Sequence, residues 1–381
     1  MDVQAQTLET LRTRTSEKWA AYPPDVLPLF VAEMDYPLAE PIADALHAAI
    51  ARSDTGYAGT VHGNLAPAFT DFAGRRWGWT IDPEHVSSTT DVSVVIVESL
   101  RLAIRPGDGV IITPPVYAPF FDLVPEAGGR VVEVPLLDDG AQWSLDLPGI
   151  ESAFAAGARA MILCNPHNPL GHAHPADQLT RLAELAAEFD VTIVSDEIHA
   201  PLTAAYATFT PFLSVSDAAR EHGIAAHSAS KAWNLAGLKC AMFVTASERM
   251  RRLLEGLPEE VHFRTSLLGR TANTAAFADG EDWLDGALAS IRSNRELLAT
   301  LLAERLPGAR YRRPAASYLA WLDLRALGWG DDPAARILES ARVALNSGLD
   351  FGAQGAGFVR LNFACSPKVL TEAIDRIARL T

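Results

Sequence analysis

Three cysteines in 381 residues, Cys164, Cys240 and Cys365, are too few and too scattered for a disulfide framework, and with no Cys-x-x-Cys pair they suggest no zinc site. A reducing, cytoplasmic setting fits best. Long apolar runs are missing too: stretches such as Val92 to Val97 reach only about six residues, far short of a membrane span. The opening MDVQAQTLETLRTRTSEKW lacks the basic-then-apolar layout of an export signal, so neither a membrane association nor secretion is expected. Positive charge is scarce. Against 47 Asp and Glu stand 32 Lys and Arg, a formal charge of −15, which disfavours nucleic-acid backbones and anionic lipid and allows only a local cationic pocket. The sequence also has no His-Glu-x-x-His, no P-loop, no Gly-x-Gly-x-x-Gly after a strand and no Gly-x-Ser-x-Gly elbow. His172-x-His174 has no further ligands nearby, and no metal site is expected.

What is present is an ordinary globular composition, 49% hydrophobic and 21% charged, on a chain long enough for about two or three domains or one large domain with an appendage. Short β-branched or apolar runs appear at GVIITPP (109–115), RVVEVP (130–135), RAMILCNP (159–166), VTIVSDE (191–197) and CAMFVT (240–245). Between them lie helical stretches such as 176–190, where Leu179, Leu182, Ala183 and Ala186 recur on one face. Strands alternating with helices predict an α/β fold around a mostly parallel sheet. After about Leu257 the pattern turns to a long helical zone, strands near 317–324 and 357–364, and a closing helix. This predicts a smaller α+β unit, with the amino-terminal segment too short for its own core and packing against it. The expected division is a large domain at 46–258 and a small domain made of 1–45 and 259–381.

In open α/β sheets ligands gather at the carboxyl ends of the strands, and these ends are unusually polar. Run 159–164 leads into Asn165-Pro-His-Asn168-Pro-Leu-Gly, run 191–194 ends at Ser195-Asp196-Glu-Ile-His199, and IAAHSAS ends at Ser230-Lys231. A lysine held in a closing pocket has its pKa lowered by burial, and a neutral amine there is a nucleophile for carbonyls. A surface lysine in a turn is the ordinary alternative.

These residues resemble pyridoxal-phosphate (PLP) enzymes of the class I/II aminotransferase fold, and most closely their MalY/PatB-type cystathionine β-lyase branch. The resemblance rests on eight segments in family order: FVAEMDYP, GYAG, PPVYAPFF, LCNPHNPLG, SDEIHAPL, SASKAWNLAGLK, SYLAWLDL and GFVRLNFACS. It implies a fold type I enzyme, with a mostly parallel seven-stranded sheet in the large domain and a smaller α+β domain. Lys231 matches the Schiff-base lysine, and Asp196 the acid that keeps the pyridine nitrogen protonated, so that the ring can accept electrons from the substrate Cα. Asn168 resembles the amide beside the cofactor phenolate oxygen, and His199 stands where many relatives have tyrosine. Tyr117 resembles the ring stacked on the cofactor face and completes the expected catalytic set with Lys231 and Asp196.

For the phosphate, the resemblance implies Ser228, Ser230 and Lys239, together with a turn at a helix N-terminus that here reads Thr90-Asp91-Val92. Asp91 departs from the usual small residue; a carboxylate there repels phosphate unless it points away or caps the helix. Arg360 matches the arginine that binds the substrate carboxylate, with Asp35, Asn168 and Tyr117 as further substrate contacts. Tyr57 resembles a tyrosine that reaches the partner subunit's phosphate, which implies a homodimer with shared active sites. Ala316-Ser317 stands where relatives commonly have Gly-Thr, beside the substrate pocket.

The expected function is a carbon–sulfur β-lyase that cleaves cystathionine or another cysteine S-conjugate to thiol, pyruvate and ammonia. An aminotransferase is the alternative, followed by a decarboxylating or deaminating enzyme acting on a sulfur-bearing biosynthetic intermediate. A non-catalytic regulator with the same fold is a fourth reading, against which intact Lys231, Asp196 and Arg360 argue.

Overall fold

The computed structural model describes residues 2–59 and 63–381. Seven strands form the central sheet: β1 (Val86–Thr89), β2 (Gly109–Ile112), β3 (Arg130–Glu133), β4 (Ala158–Cys164), β5 (Thr192–Asp196), β6 (Gly223–His227) and β7 (Ala241–Val244). Their order is β1-β7-β6-β5-β4-β2-β3. Only β7 runs against its neighbours, so the sheet is mostly parallel. The sequence reading missed β1, because Val-Ser-Ser-Thr lacks an apolar run; it sits at the sheet edge, and its buried Thr89 is accommodated by a hydroxyl donating to Val261 O at 2.7 Å.

Strand alternation explains why the parallel runs read as continuously apolar. In β4, Ala160, Ile162 and Cys164 face one layer, while Met161 and Leu163 face the other. Both faces are covered, so neither parity can be polar. The first layer includes α2 (Val92–Ala103), and the second includes the helix Ala176–Phe189. In register, Cys164 pairs with Asp196 and Asp196 with Ala226, which lines up the carboxyl ends of β4, β5 and β6.

The smaller unit holds a four-stranded antiparallel sheet, β8 (Arg310–Tyr311), β9 (Leu319–Asp323), β10 (Asn346–Ser347) and β11 (Phe358–Asn362), in the order β8-β9-β11-β10. Leu27–Pro28 pairs in parallel with Val343–Ala344, tying the amino-terminal segment to this unit. The division at 45/46 does not follow the elements, because it cuts α1 (Glu40–Ala51). The helix Leu267–Asp279 packs on α1 and on Leu65–Trp77, so this stretch beyond 259 still belongs to the larger body. Apolar periodicity marks helices but not which layer they join.

Candidate active site

The strand ends open into a cavity of about 250 Å³ lined by Lys231, Asp196, His199, Asn168, Tyr117 and Arg360, and toward the start of α2 by Thr90, Asp91, Val92, Ser93, Ser230 and Lys239. Lys231 follows β6 on a loop held by its own backbone hydrogen bonds, Trp233 N to Ala229 O and Leu235 N to Ser230 O, and by side chains. Ser228 Oγ accepts from Ser230 N at 3.0 Å and donates to Cys240 O at 2.7 Å, and Ala229 N donates to Asn273 Oδ1 at 2.8 Å. Asn234, at φ 60°, bridges to the amino-terminal segment by accepting from Met34 N and donating to Met34 O.

Lys231 Nζ donates to the Ala32 carbonyl at 3.2 Å, and no carboxylate closes on it among the described residues. Burial, with the positive charge of Arg360 adding to it, lowers its pKa to about 8, and Asp196 pulls weakly the other way. Asp196 ends β5 and is buried, accepting one hydrogen bond from Ile198 N at 3.1 Å. Desolvation raises its carboxyl to about 7 despite that bond and the nearby lysine. His199 is buried and held neutral near 3, first by desolvation and then by the charges of Lys231 and Arg360; its Nδ1 has no partner.

Arg360 comes from β11. Its guanidinium donates to Asn168 Oδ1 at 3.0 Å, to Phe30 O at 3.0 Å and to Asn346 Oδ1 at 2.6 Å, and lies 5.0 Å from the centre of the Phe351 ring. Its Nε is buried without a partner. The planar fork is thereby fixed across the two units, ready for a carboxylate. Tyr117 lines the cavity with its hydroxyl pKa raised by burial, and its ring meets Phe120 edge-on.

Several sequence-derived positions lie elsewhere or are engaged. Asp35 does not line the cavity: it is buried and takes a 2.7 Å ion pair from Lys18. Its place in FVAEMDYP resembled a substrate contact, but the motif extends past the pocket wall. Ser228 also lies outside the lining, and its hydroxyl braces the Lys231 loop. Asp91 is the N-cap of α2, its Oδ1 accepting from Val94 N at 3.1 Å and its Oδ2 standing 3.2 Å from Lys239 Nζ. Tyr57 is 89% exposed and outside the cavity its own chain forms. Sequence reasoning missed Asn346, which sits in no motif, and the carbonyls of Phe30 and Ala32, which no side-chain pattern encodes. Tyr318, whose hydroxyl donates to Ala32 O at 3.0 Å, was visible as part of the SYLAWLDL segment but received no role.

The cavity suits PLP. A buried carboxylate poised near neutrality awaits a cation, an amine stands free of carboxylates, an aromatic ring lines the same cavity, and the N–H groups of a helix start face the same space. The fold and site thus define a PLP-dependent enzyme of fold type I. Residues 24–377 match the model of the family described as aminotransferase class I and II. A candidate cystathionine beta-lyase of Mycobacterium tuberculosis is 47% identical, covering 98% of this chain and 96% of that protein. The cystathionine beta-lyase of Corynebacterium glutamicum is 37% identical over 97% of this chain and 98% of its own length. Among solved structures, a candidate PLP-dependent β-cystathionase of Corynebacterium diphtheriae superposes with a TM-score of 0.94 at 35% identity, covering 99% of this chain and 98% of the other. The chain belongs to the class I and II aminotransferase family, in its carbon–sulfur lyase branch, and its cofactor is PLP.

Proposed function

We propose that this carbon–sulfur lyase cleaves the Cβ–S bond of cystathionine or another cysteine S-conjugate, with thiol, pyruvate and ammonia as products. The observation that carries the reading is the state of Lys231, whose amine is lowered to about 8 and is free of any carboxylate beside a fixed Arg360. Such an amine can both take and return a proton near neutral pH. Bound here, PLP supplies the electron sink for the pair left at the substrate Cα. The guanidinium of Arg360 holds the α-carboxylate, and Asn168, hydrogen-bonded to it, orients both groups. Lys231 removes the Cα proton, the Cβ–S electron pair leaves with sulfur, and the three-carbon remainder hydrolyses to pyruvate and ammonia. Asp196 would balance the positive ring nitrogen, and Tyr117 would wall the ring face. Ser230, Lys239, Thr90 and the N–H groups at Val92 would hold the phosphate.

Turnover without an added keto acid tests this reading. A lyase gives thiol, pyruvate and ammonia in equal amounts over many cycles from at least one cysteine S-conjugate. A transaminase stops after a half-reaction until an acceptor arrives, and acceptor-dependent turnover across the whole panel would reject the lyase reading. The exposed Tyr57 supports a second element of the proposal, a homodimer in which this hydroxyl reaches the partner's phosphate. Mixed dimers of Tyr57→Phe and Lys231→Ala chains should regain activity, since one of their two sites keeps both native groups; no recovery in verified hybrids would place Tyr57 outside the site.

A further inference from the structure

The end of the cavity near α2 contains a feature that the lyase reading does not require. Asp91 does two things at once. Its Oδ1 caps the helix by accepting from Val94 N at 3.1 Å, and its Oδ2 meets Lys239 Nζ at 3.2 Å. Both side chains line the same space as Thr90, Val92, Ser93 and Ser230. Lys239 reaches this position from the left-handed conformation, at φ 54°, which an ordinary side chain adopts at a cost. A phosphate entering this cup meets an ammonium that already has a counter-ion, and a carboxylate beside the N–H groups that would receive it.

We infer that Asp91 is a positioning residue that limits the grip on the cofactor's phosphate. By pairing with Lys239 it divides that ammonium between a carboxylate and the anion, which weakens its pull on the phosphate and makes the cofactor more readily exchanged than a cup with a free ammonium would. The inference concerns the family's cofactor only and is independent of which bond the enzyme breaks.

Asp91→Asn separates the charge from the cap, because asparagine caps helices about as well as aspartate. Apoprotein of both forms is titrated with PLP, with pyridoxal, which lacks the phosphate, and with inorganic phosphate as competitor, following protein fluorescence. Removing one charge at this range should tighten PLP and inorganic phosphate by about tenfold. Pyridoxal affinity and the apoprotein's melting temperature should stay unchanged. In the double variant Asp91→Asn with Lys239→Met the gain should vanish. Unchanged or weaker PLP binding by Asp91→Asn, an equal shift for pyridoxal, or a gain that survives loss of Lys239 would each overturn the inference.

Discussion

Two lysine–aspartate couples among the described residues invite comparison, Lys18 with Asp35 in the amino-terminal segment and Lys231 with Asp196 at the strand ends. Lys18 and Asp35 are fully buried and closed on each other at 2.7 Å, with Lys18 also donating to Glu33 O at 3.1 Å. Lys231 and Asp196 are kept apart: the amine is given to a carbonyl, and the carboxylate receives a single backbone N–H. Desolvation acts on both couples, raising Asp35 as it raises Asp196. In the closed couple the attraction is spent on holding the segment 30–36 in place. In the open couple it is left available, so the amine sits at about 8 and the acid at about 7, both within reach of a proton exchange at neutral pH. The same two residue types thus serve as a fastening in one place and as reactive groups in the other.

The strongest way to break this comparison is to truncate each lysine. Lys231→Ala should reduce turnover by about 10³-fold or more, since it removes the acid–base group and the covalent anchor together. Borohydride should then fix no cofactor to the protein, while the urea midpoint of the apoprotein stays close to wild type. Lys18→Ala should do the reverse. It leaves Asp35 buried and unpaired, at a cost of about 3–5 kcal/mol in unfolding free energy, and the folded fraction should still bind PLP covalently. If Lys231→Ala proved as destabilising as Lys18→Ala, the two couples would not differ as described.

A smaller effect is expected at Arg360, whose charge adds to burial in lowering Lys231 and which is itself tied to Asn168, Asn346 and Phe30 O. Arg360→Ala should raise KM and lower kcat together, because a loosely held carboxylate misplaces the Cα–H bond relative to Lys231. The combined loss in kcat/KM should be about 2–5 kcal/mol, the range for one desolvated charge pair. Steady-state kinetics with the best S-conjugate measures it, and unchanged values would assign the carboxylate to another group.

Much of this was legible in the sequence. The parallel core strands could be read because burial on both faces leaves continuous apolar runs, and the polar residues just after β4, β5 and β6 stand out against them. What could not be read depends on groups without sequence signals. Asp35 and Asp196 both follow motif residues, and only the fold shows that Lys18 reaches the first. The Ala32 carbonyl that holds both Lys231 and Tyr318 belongs to the backbone. For Asp91 the sequence left open repulsion of phosphate or a helix cap; the fold shows the cap, and Lys239, 148 positions away, gives it a counter-ion.

The smallest expected effect compares the open couple with a second set, in which His167 and His174 are buried and His172 is half-buried. His167, His172 and His174 lie behind the Asn168 turn, with His167 lowered to about 3, His172 to about 4 and His174 well below its ordinary value, in each case first by desolvation. His199, lowered to about 3, joins them from the cavity wall. A histidine with a depressed folded pKa stays neutral while its unfolded counterpart, titrating near 6.5, takes up a proton. Its contribution to stability is therefore complete above about 6.5 and is lost as pH falls toward 4, at up to about 1.4 kcal/mol per pH unit for each histidine. Asp196 opposes this in the apoprotein: its pKa is raised, so the folded state holds a proton more readily between about 4 and 7, and its contribution grows as pH falls. Four histidines against Asp196 and Asp35, whose carboxyl burial also raises, should leave a net loss, seen as a falling melting temperature between pH 7 and 5. His172→Gln should flatten that slope by about one proton's worth and leave turnover at pH 7 unchanged, whereas His199→Gln should flatten it and also alter turnover. A melting temperature independent of pH across this range would mean that the histidines are already charged in the folded protein, and the distinction between a quiet buried cluster and a poised site would fail on its acid side.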